Sequence, residues 1–517
     1  MTGRIAAMAI GFVAIPIVTR IFNPEQFGVA GLVGSVAYWT TAFSCLGYAQ
    51  AIPLSRSRGE TRQLVRLCLL LTLGLLAMVV VLVAVGGDLI AGVLGDPTLR
   101  TLLWFVPILF LFASLRQTAT YTLSKERKFG WSALVGLSNA AGARPVQIGL
   151  GWLFGGSALF LLLATAAGGA VSVGLAACVL VPLMLHKRAD EAAPPPSMLD
   201  VAQAHQQFPK VQMWNVVLNV SSMSLPILLM GNLFGVGMVG YYNLGRNILV
   251  LPMTILGNSV AQVFYPEAAT EWHETGSMAE SICRTIRIIS RTCVFPIVCV
   301  AVLGPVLFET VLGEEWDEAG VYAQILSPWI LIILLSSPLS SVLVIRRRGG
   351  LLLLYNVLLV VLRPLALVVG KGLSVLGSPL TMALAACENS DGLGGAVFQA
   401  VQPVALLAEH GLGGPRIALL LLSAAGACVQ LHLLCTAIKL GMARRRTAIG
   451  MLLKETILGA GLLIPAALAY YVGGSRWGSL GLLCPAAIVR AALLYRQEPV
   501  IREKLRSFID RGATQLQ

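Results

Sequence analysis

From Leu67 to Ile90 the chain reads LCLLLTLGLLAMVVVLVAVGGDLI, an apolar run interrupted by a single charge, Asp88. About 20 such residues wound as a helix cross the roughly 30 Å of hydrocarbon in a bilayer. Lipid offers the backbone no hydrogen-bonding partner, so a spanning segment has to close its bonds internally. Similar runs recur near 5–22, 28–53, 101–123, 130–153 and 157–185, then near 211–235, 238–264, 285–312, 320–345, 350–370 and 416–440, and last near 451–473 and 478–495. The predicted fold class is an all-α polytopic membrane protein with about fourteen transmembrane helices in the order six, linker, six, two. Only 12% of the 517 residues are charged, against about 25% in soluble chains. That leaves no stretch for a sizeable water-soluble domain, so function has to be built from helices and short loops.

The expected divisions are an N-terminal six-helix bundle at 1–185, a charged and proline-rich linker at 186–210, and a second six-helix bundle at 211–440. Two additional helices at 441–495 and a basic tail at 496–517 complete the chain. Residues 371–415 interrupt the second bundle with two short apolar pieces around CENSDG and read as a re-entrant or peripheral outer hairpin. The N-terminus has one basic residue, Arg4, and no small-x-small cleavage site, so the first segment is read as retained. The ten cysteines contain no C-x-x-C pair and sit mostly in apolar runs, as small hydrophobes do.

With the N-terminus in the cytoplasm, 28 of the 37 lysines and arginines fall on that side, the bias that the positive-inside rule requires. Both termini are then cytoplasmic. The net charge of +13 is therefore mostly topology held against anionic lipid head groups, and nucleic acid is not an expected partner.

Against this background the basic residues inside the apolar runs stand out. The opening stretch IGFVAIPIVTRIFNPEQFG (10–28) carries Pro16 within the helix and Arg20 near its outer end. Arg116, Arg144, Arg246 and Arg363 lie in the fourth, fifth, eighth and eleventh runs, whereas no acidic residue is expected in the middle of any span. A central arginine costs roughly 2.5–3.5 kcal/mol on insertion scales, so these cations need water, backbone carbonyls or an external anion. A pyrophosphate would satisfy several, because guanidinium groups grip phosphate oxygens in pairs. The competing reading is snorkelling or carbonyl capping, to which Arg116, near the cytoplasmic end of its run, is the most open. Asn215, Asn219 and Ser222 share a helix face in the seventh run, while Tyr241, Tyr242 and Asn247 surround Arg246. Sugar contacts and helix–helix contacts explain these polar groups equally well. The five histidines are scattered and no His/Asp, Ser/His or metal-ligand constellation is present, so neither enzyme chemistry nor a cofactor or metal is expected. Pro16 in the first run is followed by Gly28 opening the next helix, and Pro226 in the seventh by Gly240 opening the next, an echo that suggests two structural repeats.

PIVTRIFNPEQFG (16–28), AIPL after the second run, FPK (208–210), GYYNLGR (240–246), LPMTILGNSVAQVFYP (251–266), LSPW (326–329) and SSPLSSVL (336–343) resemble the oligosaccharide flippases of the polysaccharide transporter family. That family lies in the multidrug/oligosaccharidyl-lipid/polysaccharide superfamily. The resemblance covers roughly 10–345 and fades after 370. It implies two six-helix bundles around a central cavity that opens alternately to each side. It also implies a cargo, an undecaprenyl-pyrophosphate-linked oligosaccharide (an O-antigen, capsule or exopolysaccharide unit) moved across the bacterial inner membrane. By the same resemblance Arg20 and Arg246 match arginines that contact the pyrophosphate, and Arg56 stands for a third. The expected substrate-binding set is Arg246, Arg144, Arg363, Arg20, Arg116, Asn219 and Tyr242. Expected partners are the lipid-linked oligosaccharide, membrane lipids, a coupling ion (H+ or Na+) and a polysaccharide polymerase. The alternatives are a cation-coupled drug or metabolite antiporter of the same superfamily, which should carry an intramembrane carboxylate, and a membrane polysaccharide polymerase or ligase, which should carry a long catalytic outer loop.

Overall fold

The computed structural model describes residues 11, 14–185, 197–252, 258–387, 414–442, 445–471 and, in part, 482–493. The linker residues 186–196, most of the insertion at 388–413 and the tail at 496–517 lie outside the described residues. Among the described residues the secondary structure is helical, with no strand. After a leading helix that ends at Thr19, the main helices are α1 Pro24–Thr41, α2 Arg58–Leu94, α3 Phe105–Lys125, α4 Phe129–Phe154 and α5 Ala158–Leu185. They continue with α6 Met198–Ala204, α7 Met213–Phe234, α8 Val236–Pro252, α9 Asn258–Thr275, α10 Ala279–Leu312 and α11 Asp317–Leu339. Last come α12 Gly349–Cys387, α13 Gly414–Leu440 and α14 Arg445–Tyr471.

Among the described residues, eight helical spans are long and apolar enough to cross a membrane, or nine if the bent pair Pro24–Thr41 and Ser44–Leu54 is one span. The expected fourteen is not reached by this test. Two of the missing helices show why: α8 is described over 17 residues, up to the undescribed 253–257, and α9 carries Glu267, Glu271 and Glu274. On α2 the outward side chains are themselves apolar, with Val85 82% and Leu89 73% exposed. A helix apolar on every side belongs in lipid.

The chain divides into two compact units: Met1–Gly245 with Val311–Trp316 and Leu353–Gly426, and Arg246–Thr310 with Asp317–Leu352 and Ala427–Gln517. In the first unit the sequence NPEQ starts α1 as a capping box. Asn23 Oδ1 accepts from the Gln26 amide at 2.9 Å, and Gln26 Oε1 accepts from the Asn23 amide at 3.1 Å. Pro24 occupies the first turn, where its missing N–H costs nothing. Gln26 Nε2 also donates to the Gly156 carbonyl at 2.8 Å, fixing α1 to the α4–α5 turn.

Alpha1 and α8 cross without side chains between them. A Cβ at Gly28 would overlap the Val236 carbonyl, and one at Gly240 would overlap the Pro24 carbonyl. Beyond α1 the chain bends by 56° into the 3-10 segment Ser44–Leu54 through Cys45, Leu46 and Gly47, all with positive φ. A break of this kind survives in a membrane protein where it is enclosed by protein. Here Cys45 is fully buried, its Sγ within 3.3 Å of Thr72 Oγ1 and 3.5 Å of Thr118 Oγ1. At Gly47 a side chain would press on the Phe208 carbonyl.

In the second unit, Pro305 within α10 has no N–H for the Ala301 carbonyl. Gln324 Nε2 of α11 donates there instead, at 3.1 Å, and to the Val302 carbonyl at 3.1 Å. Proline inside this span is thus compensated by a polar side chain on the neighbouring helix.

Candidate functional site

The first unit encloses a cavity of about 510 Å3 between α1, α3, α4, α5 and α7. Arg116 of α3 lines it together with Gln117, Thr120 and Tyr121. These four are positions i, i+1, i+4 and i+5 of one helix and therefore share a face. Tyr38 and Thr41 of α1, Asn139 of α4 and Thr165 of α5 complete the polar lining, and Leu109, Phe112, Val216 and Val220 supply apolar wall. The Thr120 and Thr165 hydroxyls donate to the carbonyls of Arg116 and Leu161 within their own helices, each at 2.8 Å. Their oxygens keep lone pairs for a second partner.

Among the described residues, the Arg116 guanidinium, the Gln117 and Asn139 amides and the Tyr38 and Tyr121 hydroxyls take part in no hydrogen bond or ion pair. No acidic side chain lines the cavity. It is a concave, partly apolar space into which one cation and several neutral polar groups converge. Its volume falls in the range of roughly 300–1,000 Å3 usual for small-ligand sites.

The other expected site residues are distributed differently, and none of them lines this cavity. Arg144 of α4 is half-buried, with Nη1 donating to Gln147 Oε1 at 2.7 Å and Nη2 directed towards Gly11 of the leading helix. Arg363 of α12 is completely buried. Its Nη1 donates to the Ser222 carbonyl at 2.7 Å and to Ser222 Oγ at 3.2 Å, so this guanidinium braces α7. Asn219 and Arg20 are exposed, whereas Tyr242 is 1% exposed and packed inside. Arg246, half-buried on α8, is engaged with other protein groups and opens the second unit.

One carboxylate near the start of the expected run at 451–473 is buried: Glu455 of α14. Its Oε2 accepts from Arg490 Nη2 at 2.7 Å, and its Oε1 faces Arg291 Nε at 3.6 Å. Arg490 is 2% exposed, and Arg291 belongs to the long helix α10. Helix α14 is described from Arg445, ahead of the apolar run near 451–473. Elsewhere among the described residues, no group of three or more His, Cys, Asp or Glu side chains is placed to hold a metal ion.

The helices define a multi-span membrane protein whose first unit carries a polar cavity. In fold the chain is similar to lipid II flippase MurJ in an inward closed conformation, at 11% identity and a TM-score of 0.66, over 96% of this chain and 99% of that one. It is also similar to an inward-facing multidrug resistance MATE family transporter of the MOP superfamily, at 12% identity and a TM-score of 0.59, over 85% of this chain and 98% of that one. In sequence it is 22% identical to the lipopolysaccharide biosynthesis protein WzxC of Escherichia coli (strain K12) over 365 residues, 70% of this chain and 72% of WzxC. The family model described as "Polysaccharide biosynthesis protein" matches residues 17–321, more than half of the sequence. The chain belongs to that polysaccharide biosynthesis family.

Proposed function

We propose that this protein is a flippase that carries an undecaprenyl-pyrophosphate-linked oligosaccharide, an O-antigen, capsule or exopolysaccharide unit, across a bacterial inner membrane by alternating access. The observation that carries the reading is Arg116, a guanidinium on a cavity wall with no counter-ion among the described residues. A guanidinium held against a partly apolar wall without a partner is unfavourable, and an anionic cargo offsets that cost when it loads. The sugar head crosses in the polar space while the prenyl tail stays in lipid. Loading shifts the two cavity shapes only through contacts that differ between them.

In this reading Arg116, Arg144, Arg246 and Arg20 meet the anionic cargo, with Asn219 and Tyr242 as lesser polar contributors and Arg363 holding α7 in place. Both termini are cytoplasmic, an H+ or Na+ gradient resets the cycle, and a polysaccharide polymerase receives the product. No residue is given a catalytic role. The bundles at 1–185 and 211–440, with the linker at 186–210 and the additional helices at 441–495, are the moving parts. The antiporter alternative is disfavoured because the embedded carboxylate Glu455 is faced by Arg291 and Arg490 instead of standing open to a cation.

The test is a proteoliposome assay with a fluorescent prenyl-pyrophosphate oligosaccharide, scored for leaflet exchange with and without an ion gradient. Exchange by the wild type and its loss in Arg116→Gln at unchanged protein level is expected. Wild-type exchange no faster than in empty liposomes overturns the reading.

A further inference from the structure

We infer that the Arg116 cavity is a selectivity pocket for an acidic sugar, a ring of the glycan head bearing one carboxylate such as a hexuronate, and not the seat of the pyrophosphate. The inference rests on the flippase reading and narrows its substrate class.

Charge is the first argument. Arg116 is the single ionic group lining the cavity, and no lysine, histidine or second arginine stands beside it. A pyrophosphate brings at least two negative charges, and against one guanidinium the surplus would face Leu109, Val216 and Val220, a surrounding in which an unpaired charge is expensive. A single carboxylate balances one guanidinium and meets its two parallel N–H groups in the favoured forked geometry.

The neutral groups supply the second argument. The amides of Gln117 and Asn139 and the hydroxyls of Tyr38 and Tyr121 are unengaged among the described residues. Each of these groups both donates and accepts, which matches sugar hydroxyls, themselves donors and acceptors; phosphate oxygens, which only accept, would leave half of that capacity idle. The rings of Tyr38, Phe112 and Tyr121 add flat apolar surface for the C–H face of a pyranose.

The test uses the full-length protein in nanodiscs of one fixed lipid composition, titrated calorimetrically with a glucuronic-acid-containing disaccharide, its neutral glucose counterpart and inorganic pyrophosphate. The acidic disaccharide is expected to bind at least about tenfold more tightly than the neutral one, a difference of about 1.4 kcal/mol, and pyrophosphate to leave its binding unchanged. Arg116→Gln should abolish the preference with thermal unfolding unaltered, and Arg116→Lys should retain part of it. Should Arg116→Gln fail to fold, Asn139→Leu serves instead and should weaken both disaccharides by a similar factor. Equal binding of the two sugars, displacement by pyrophosphate, or a full preference in Arg116→Gln overturns the inference. Leaflet exchange separates the two levels. Equal transport of neutral-headed and acidic-headed lipid sinks this inference and leaves the flippase standing, whereas transport of neither sinks the flippase reading itself.

Discussion

Replacing Glu455 by glutamine removes a counter-charge that faces two arginines. Glu455 Oε2 stands 2.7 Å from Arg490 Nη2, which also donates to the Arg291 carbonyl of α10 at 2.6 Å. At that separation and an effective dielectric constant of 20 the gross attraction is roughly 6 kcal/mol, most of it cancelled by the desolvation of both ions. Breaking such a pair leaves the full burial cost of the survivor, about 3–5 kcal/mol. Arg490 sits at the upper end of that range, because it is 2% exposed and its Nε and Nη1 have no hydrogen-bond partner among the described residues. Arg291, 24% exposed at its side chain and 3.6 Å away, adds less. Glu455→Gln should therefore lose about 3–5 kcal/mol in reversible unfolding in mixed micelles. Glu455→Leu combined with Arg490→Met should recover most of that loss, since apolar side chains of similar size replace buried ion pairs at little cost. Glycan export by Glu455→Gln should fall only as far as folded protein falls. A loss below about 1 kcal/mol, or single-variant losses that add to within about 0.5 kcal/mol, would refute the argument that this is a buried, coupled cluster.

Arg363→Met should lower thermal stability and membrane abundance, with export per folded molecule preserved, because its guanidinium holds the Ser222 carbonyl and does not line the Arg116 cavity. Trp316→Phe should cost about 0.5–1.5 kcal/mol of unfolding free energy through the bond from the indole Nε1 to the Thr19 carbonyl, 3.0 Å in length. Trp316→Ala should cost about 3–5 kcal/mol, since the ring is fully buried edge-on against Phe27 and Tyr241. Gly240→Val should abolish folded protein in membrane fractions because of the Pro24 carbonyl, whereas Gly74→Ala, with open space around it, should not.

Fold class was readable because long apolar runs in a chain this poor in charge admit little besides membrane helices. Helix starts were less readable: the second apolar run begins near 28, whereas the capping box at Asn23-Pro24-Glu25-Gln26 opens α1 at Pro24. The ranking of the arginines was not readable. All four interior arginines look alike as cations in apolar runs, and depth along the run is a poor guide to what a side chain meets. Arg363, deep in its run, turned to a backbone carbonyl, while Arg116, near the end of its run, faces open space. The cavity's neutral lining was half visible: Arg116, Gln117, Thr120 and Tyr121 form a polar stripe on α3. Tyr38, Asn139 and Thr165 come from three other helices, and no periodicity within one helix reports such a convergence.

The echo between the first and seventh runs has a more definite counterpart in the structure than prolines alone suggested. Gly28 lies against Val236 and Gly240 against Pro24, while Gly31 lies against the Asn243 side chain. Each position in α1 is matched by one 212 residues later in α8: 24 with 236, 28 with 240, 31 with 243. A contact in which i meets the equivalent of j, and j the equivalent of i, is what a local two-fold axis imposes on self-complementary surfaces. Only at such an axis do two backbones press on each other symmetrically, so glycine is demanded at both copies by one steric condition. Away from it each copy meets different neighbours and the two halves are free to diverge. Arg116 shows that freedom: the position 212 residues on, at 328, is Pro328 inside α11. The glycines at the crossing are thus held by one steric condition that does not reach Arg116.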